Sequence, residues 1–216
     1  MSFSVIISKL SMGMVMTIII FGLTVLFSLP LGLGISFGRM SKNKIIKNFF
    51  RIYISIMRGT PLMLQLFVVY FGPYYIFGIS ITNTYRYVAV IIGFVLNYAA
   101  YFAEIYRSGI ESMPVGQYEA AKVLGYTKNQ TFVKIILPQV VKRILPPVTN
   151  EVITLVKDTS LAFAIGVAEL FTVAKAITSA EGTMLAFILA GMYYYIFNFI
   201  VAFSMEKVEK KLSYYR

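Results

Sequence analysis

The chain has 216 residues, of which 58% are hydrophobic and 13% are charged, and its mean hydropathy of +0.76 assigns it to the membrane class rather than to soluble domains. The formal net charge is +11, but the bases cluster in short loops beside apolar runs, which favours membrane orientation over nucleic-acid binding. The sequence contains neither cysteine nor histidine, which excludes disulfides and thiolate chemistry and removes the commonest metal ligand, so we predict no catalytic and no metal-binding residue.

Several apolar segments are long enough to cross about 30 Å of hydrocarbon, which takes roughly 20 residues of helix. The first is too long, and lacks the flanking signals, for a cleaved signal peptide. The fourth is a helix only if Lys157, Asp158 and Glu169 are tolerated within it. We predict an all-α membrane protein of one domain, residues 1–216, with five transmembrane helices over residues 12–37, 53–77, 87–107, 152–172 and 182–205.

The basic residues predict the orientation of these spans. The positive-inside rule places the loops rich in lysine and arginine in the cytoplasm, so the N-terminus is outside and the C-terminus is cytoplasmic. The outer segments, 78–85 and about 175–182, are too short to form a recognition domain, so a separate protein would have to capture any solute. The bases that set this orientation are Arg39, Lys42, Lys44, Lys47, Arg51, Lys122, Lys128, Lys134, Lys142, Arg143, Lys207, Lys210, Lys211 and Arg216.

The cytoplasmic segment 111–138 carries signals for two short helices with a tight corner between them. Pro114 suits the first position of a helix over 114–124, because its missing N–H is not needed there. Gly125 suits the left-handed residue just past a helix end. Thr127 followed by Gln130 predicts a capping box that opens a second helix. Pro138 disfavours helical geometry at the preceding residue and is expected to end that helix.

The first of these helices is expected to present one small-residue face. Ala120, Ala121 and Leu124 share that face at helical spacing, so a partner surface could approach the backbone closely. Glu119 and Lys122 lie beside it and could pair with each other or contact the partner. The alternative is a helix that lies on the lipid surface with its lysines towards the headgroups.

The same segment resembles the EAA motif of ABC importer permeases. The resemblance rests on Glu119-Ala120-Ala121, then Gly125, and then Ile135-x-Leu137-Pro138. Three further stretches resemble the polar amino acid branch of these permeases: Arg58 to Gly72, Asn97 to Ile110 and Val156 to Leu170. Together with the coupling segment they cover most of residues 51–175. In that family the motif forms the coupling helix that sits in a groove of the ATPase subunit. The resemblance implies coupling roles for Glu119, Ala120, Ala121, Leu124, Gly125 and Pro138.

The resemblance also implies the partners of this chain. These are two ATPase subunits, a second permease chain that is either identical or paralogous, an extracellular solute-binding protein, an amino acid substrate and the surrounding membrane lipid. The chain contains no G-x-x-x-x-G-K-[ST] phosphate loop. ATP and Mg are therefore expected on the partner ATPase, and this chain is expected to be non-catalytic with no cofactor of its own. The resemblance also implies that the chain lies in the cytoplasmic membrane of a prokaryote.

Polar residues within the predicted spans are candidates for the substrate pathway, because burying them in lipid is costly. Asp158 could hold the ammonium of an amino acid or a basic side chain, or it could form a structural ion pair with a base such as Arg58. Thr159 and Ser160 could donate hydrogen bonds to a substrate carboxylate, or they could bond back to carbonyls of their own helix.

Two amides and a helix break complete the list of candidates. Gln65 and Asn97 lie well inside spans two and three, where they could line the pathway or form interhelical hydrogen bonds. The sequence Gly59-Thr60-Pro61 predicts an interruption of span two, which is either a pathway feature or a static kink. Glu104 and Arg107 are expected to form a local ion pair.

Two alternative functions remain open from the sequence. A stand-alone secondary transporter or channel for small polar solutes would work without nucleotide, but it would leave the segment 111–138 unexplained. An intramembrane enzyme has the least support, because histidine and cysteine are absent and no paired acids are evident. ATP dependence separates the first alternative from an ATP-driven importer.

Overall fold

The protein is built from α-helices. The computed structural model describes residues 1–212, and no strand occurs within that range, so the predicted all-α class is confirmed. Arg216, one of the bases used to predict orientation, lies outside the described residues. A π-helical segment, Thr131–Ile136, joins α6 to α7, and a 3-10 helix, Thr159–Ile165, follows α7. The helices are α1 (Phe3–Arg39), α2 (Lys44–Gly59), α3 (Leu62–Phe77), α4 (Tyr85–Glu111), α5 (Val115–Val123), α6 (Lys128–Gln130), α7 (Leu137–Asp158), α8 (Leu170–Glu181) and α9 (Leu185–Leu212).

Membrane-spanning capacity follows from helix length and hydropathy. By these criteria α1, α4 and α9 can each cross a membrane alone. Two further spans arise if each bent pair of helices counts as one span. The axis bends by 112° between α2 and α3, and by 58° between Lys128–Ile165 and α8. The described chain therefore has up to five spans, in agreement with the prediction. α1 begins well before the predicted residue 12, and α9 runs past the predicted end at residue 205.

α4 is the central helix of the bundle. Of its most apolar stretch 61% is buried, against 28% for α1 and 17% for α9, so the latter two keep most of their apolar surface for lipid. α1 packs against α4 at Gly32, where an added Cβ would lie 2.9 Å from the Ala99 carbonyl oxygen and 2.9 Å from the Cβ of Phe102. The two backbones approach this closely because position 32 has no side chain.

The second span is broken where the sequence predicted an interruption. Thr60 is extended, with φ −123° and ψ 149°, because the proline that follows it disfavours helical geometry. α2 therefore ends at Gly59 and α3 starts afresh at Leu62, almost perpendicular to it. The predicted range 53–77 consequently joins the second part of α2 to the whole of α3.

The prediction of one helix over 152–172 is wrong. α7 ends at Asp158, and the chain continues through the 3-10 helix to Gly166. Gly166 has a φ of +72°, a conformation that favours glycine. A new helix begins after Glu169, whose carboxylate accepts hydrogen bonds from the N–H groups of Phe171 and Thr172, both at 2.7 Å. Glu169 is thus the N-cap of α8 rather than a charge tolerated in mid-helix.

The prediction that Pro138 ends a helix is also wrong. The chain is continuously helical from Lys128 through Asp158, and Pro138 lies in the first turn of α7. The preceding turn is π-helical, and there the N–H of Leu137 donates to the carbonyl of Phe132, five residues back. This wider turn takes up the distortion around the proline, which has no N–H to donate.

Candidate functional site

A cleft opens beside the break between α2 and α3, where those helices face α4 and α7. Its volume is about 450 Å³. We refer to it as the central cleft. Its two acidic residues, Glu151 and Asp158, both come from α7, and no lysine or arginine is among its described lining residues. It is lined by Thr60, Pro61, Leu62, Asn97, Tyr98, Tyr101, Glu151, Thr154, Asp158 and Leu161.

Asp158 is held in the central cleft by a tyrosine. The hydroxyl of Tyr98 donates to Oδ2 of Asp158 at 2.7 Å. No ion pair to Asp158 occurs among residues 1–212, and the guanidinium of Arg58 lies instead over the ring of Tyr101, 5.3 Å from its centroid. Asp158 is the last residue of α7, where the helix dipole disfavours an acid. The carboxylate is therefore not placed to stabilise its own helix.

Neither Thr159 nor Ser160 is among the described lining residues of the central cleft. The hydroxyl of Thr159 donates to the carbonyl of Val156 at 2.7 Å, and the hydroxyl of Ser160 donates to the carbonyl of Lys157 at 2.8 Å. This arrangement matches the alternative interpretation of these residues, in which they bond back to their own helix.

Gln65 and Asn97 hold the helix break together. Nε2 of Gln65 donates to the hydroxyl of Thr60 at 2.8 Å and to the carbonyls of Thr60 and Met57 at 3.1 and 3.0 Å. Nδ2 of Asn97 donates to Oε1 of Gln65 at 2.9 Å and to the Met57 carbonyl at 3.1 Å. These amides satisfy carbonyls that the break frees from helical hydrogen bonding. Asn97 also lines the central cleft, whereas Gln65 lies behind it.

A second cavity, of about 390 Å³, adjoins the central cleft and shares Tyr101 and Glu151 with it. It extends along α4 towards Glu111 and is lined in part by Arg58, Glu104 and Arg143. The expected ion pair between Glu104 and Arg107 is present, and Arg107 also pairs with Glu111.

The sequence analysis missed Tyr98, Tyr101 and Glu151 as cleft residues. A usable signal existed on α7, because Pro147, Glu151, Thr154 and Asp158 recur at helical spacing and line one or the other of these cavities. The tyrosines on α4 carry no comparable signal, because most tyrosines of membrane proteins lie at the interfaces.

The segment 111–138 forms an exposed corner at the end of the bundle. Gly125 has a φ of +77°, and the Thr127–Gln130 capping box is present, so both predictions are confirmed. Only part of the predicted small-residue face is exposed: Ala121 is buried at 1% exposure, while Leu124 is 73% exposed.

The other predicted coupling residues lie on the outside of this corner. Glu119, Ala120 and Pro138 are exposed, and Glu119 forms no ion pair with Lys122 in the described chain. Val123, at 88% exposure, is the most accessible apolar side chain here, and the sequence analysis did not single it out. The corner therefore presents a mixed apolar and charged surface to whatever lies beyond the bundle.

The fold and this exposed corner define a membrane permease of a transport system. The family described as binding-protein-dependent transport system inner membrane component matches residues 28–214. The chain belongs to this family, within its polar amino acid ABC permeases, and is a multi-pass cell membrane protein. Permeases of this family work with ATPase and binding-protein partners.

Two sequence relatives come from Bacillus subtilis (strain 168). The L-cystine transport system permease protein TcyB is 36% identical over 208 residues, which are 95% of this chain and 87% of TcyB. The "Probable amino-acid ABC transporter permease protein YckA" is 44% identical over 186 residues, which are 86% of this chain and 80% of YckA.

Solved structures agree with this assignment. A crystal structure of an amino acid ABC transporter with histidines contains a chain that matches with a TM-score of 0.87 and 31% identity, over 98% of this chain and 99% of that one. The MetNI methionine ABC transporter in an inward-facing conformation matches with a TM-score of 0.70 at 20% identity, over 99% of this chain and 100% of that one, which supports the fold.

Proposed function

We propose that this chain is the membrane subunit of an ATP-driven importer, that it moves polar amino acids through the central cleft, and that the corner around Gly125 couples it to the ATPase. The observation that carries the proposal is a single helical rod. Helix runs without interruption from Lys128, beside the corner, to Asp158 in the central cleft, a length of roughly 45 Å at 1.5 Å per residue. Motion of the corner would therefore be transmitted directly to the cleft acids.

The first coupling helix is fastened to this rod, so the two would move together. Ala121 of α5 is buried at 1% exposure. Nε2 of Gln139 on the rod donates to Oε1 of Gln117 on α5 at 3.4 Å. The rod also contacts the residue that ends α4, because Nη1 of Arg143 donates to the carbonyl of Ser112 at 2.8 Å. ATP-driven closure of two partner ATPases, with ATP and Mg bound there, would draw the corners of two permease chains together and tilt the rods.

The chemistry of the central cleft favours the cationic end of an amino acid. Glu151 and Asp158 line the cleft at positions seven residues apart, on one face of α7, and its described lining contains no base. A partly buried carboxylate binds an ammonium group by a charge-assisted hydrogen bond. A zwitterionic or cationic amino acid is therefore the expected cargo, delivered by an external solute-binding protein. The names of TcyB and of the Bacillus subtilis arginine permease ArtQ, with different cargoes, agree with a family that varies its solute.

Co-purification followed by reconstitution tests the proposal. The tagged chain would be isolated from native membranes under conditions that preserve complexes, and any amino acid on the co-purified binding protein would be identified by mass spectrometry. That amino acid would then be offered to proteoliposomes with and without ATP. We expect an ATPase and a binding protein in the complex, and uptake that requires ATP. Uptake by the chain alone, without nucleotide, would instead support a stand-alone transporter.

A further inference from the structure

Helix α2 has three distinct faces, only one of which packs against the rest of the chain. The packed face contains Tyr53 and Ile54: the Tyr53 hydroxyl donates to the carbonyl of Leu96 at 2.5 Å, and Ile54, at 6% exposure, packs against Ile35. Because the helix axis bends by 112° between α2 and α3, α2 does not continue the direction of α3. α2 lies beside the end of α1, where its Phe50 packs against Gly38.

The second face of α2 is an exposed apolar stripe. Ile45, Phe49, Ile52 and Ile56 follow one another at spacings of four, three and four residues, so they lie on one side of the helix. They are 81%, 65%, 59% and 52% exposed. In water, four large apolar side chains in one exposed row would be unfavourable. The apolar stripe therefore requires hydrocarbon or a covering protein.

The third face of α2 is an exposed basic stripe. Lys44, Lys47 and Arg51 are spaced by three and four residues, and all are exposed. None of them belongs to an ion pair within residues 1–212. At 100° per residue the basic stripe, the apolar stripe and the packed face are separated by roughly 120° from one another. No acidic residue lies within α2 to offset the three positive charges.

We infer that α2 is an interfacial helix that binds anionic phospholipids. A lipid satisfies both free faces at once: its acyl chains cover the apolar stripe, and its phosphate contacts the basic stripe. Basic residues beside the hydrocarbon attract anionic headgroups, and lysine and arginine reach them with long side chains. A covering protein would have to supply an apolar surface and acidic groups at positions roughly 120° apart around α2, whereas anionic lipids supply both hydrocarbon and phosphate at a membrane surface.

The absence of tryptophan from the sequence provides a direct test. A Phe49→Trp variant of the full chain, reconstituted with its partners, would report from the apolar stripe after subtraction of the spectrum of the unsubstituted complex. Vesicles would contain brominated phosphatidylglycerol or brominated phosphatidylcholine at equal mole fractions. We expect both lipids to quench the added fluorophore, and the anionic lipid to quench it more strongly, because headgroup attraction enriches that lipid beside α2.

Two triple variants that remove the same charge, both made in the Phe49→Trp background, show which basic residues cause any preference for the anionic lipid. Lys44→Gln, Lys47→Gln and Arg51→Gln together should reduce the ratio of the two quenching strengths to about one if the basic stripe selects the lipid. Lys122→Gln, Lys128→Gln and Lys134→Gln remove the same charge from the exposed segment 111–138 and should leave the ratio unchanged. The inference would be overturned if the two lipids quenched Phe49→Trp equally while the basic stripe is intact. It would also be overturned if both triple variants lowered the quenching ratio by the same amount. Absence of quenching by either lipid would mean that protein covers the apolar stripe, and would overturn it also.

Discussion

The hydroxyl of Tyr98 and the carboxylate of Asp158 join α4 to α7 across the central cleft, at 2.7 Å. A tyrosine orients the carboxylate but leaves its negative charge in place, which an arginine or lysine partner would neutralise. Asp158 therefore keeps its capacity to bind a cationic group. The ion pair with Arg58 that the sequence left open is not formed in this structure, because that guanidinium lies over Tyr101.

The first prediction is that Asp158→Asn weakens binding of the carried amino acid. A hydrogen bond to a charged group contributes about 1.5–3 kcal/mol, so we expect a loss of affinity of at least about tenfold. Radioligand binding to the purified transporter measures this directly. Ser160→Ala is the control, because the Ser160 hydroxyl bonds to its own helix. Unchanged affinity and selectivity in Asp158→Asn would reassign Asp158 to scaffolding.

The second prediction concerns the corner at Gly125. A valine there would have to adopt a φ of +77°, which β-branched residues strongly resist, so Gly125→Val should abolish most ATP-dependent uptake. Gly116→Val is a matched control in the same segment, because Gly116 lies in helical geometry within α5 and an added Cβ would meet nothing within 4 Å. Uptake would be compared at equal membrane levels of each variant. Normal uptake by Gly125→Val would refute a coupling role for this corner.

The third prediction concerns Glu169, which is completely buried. Besides the two backbone N–H groups that it caps, its carboxylate accepts from the hydroxyls of Thr172 and Tyr194, at 2.8 and 2.9 Å. Glu169→Ala would leave these donors unsatisfied at about 1–3 kcal/mol each, so the melting temperature in detergent should fall sharply. Glu169→Gln should lower the melting temperature less, because glutamine retains one acceptor oxygen.

Glu206→Ala provides the matched control for that measurement. Glu206 is exposed and pairs with Lys210 one turn along α9, an interaction of the kind that contributes about 0.3–0.5 kcal/mol. The melting temperature of Glu206→Ala should stay close to that of the unsubstituted protein. Equal melting temperatures for Glu169→Ala and Glu206→Ala would mean that water replaces the lost acceptor, and that Glu169 does not organise the start of α8.

Features set by local chemistry were predictable from the sequence. The long apolar segments predicted five spans, in agreement with the up to five of the described chain, because lipid requires about 20 apolar residues wherever a helix crosses it. The Thr127–Gln130 capping box and the left-handed Gly125 were predictable because each depends on residues a few positions apart.

Features set by tertiary contacts were not predictable. Pro138 stops an isolated helix, but here a π-helical turn before it lets the rod continue. Glu169 gave no cap signal, because a lone acid among apolar residues is equally consistent with a tolerated charge in a span. The pairing of Tyr98 with Asp158 joins residues 60 positions apart, and only the packing of α4 on α7 brings them together.

The last prediction tests the contact at the centre of the bundle. Gly→Ala in a helix normally stabilises by about 1 kcal/mol, because alanine has the higher helix propensity. At Gly32 an added Cβ would lie 2.9 Å from the Ala99 carbonyl oxygen, and a backbone atom cannot move aside as a flexible side chain can. At Gly34, in the same helix, it would meet nothing within 4 Å. We therefore expect Gly32→Ala to lower the melting temperature in detergent and Gly34→Ala to maintain or raise it. Similar melting temperatures for both variants would mean that α1 moves away from α4 at little cost, and that their close approach does not determine the stability of the bundle.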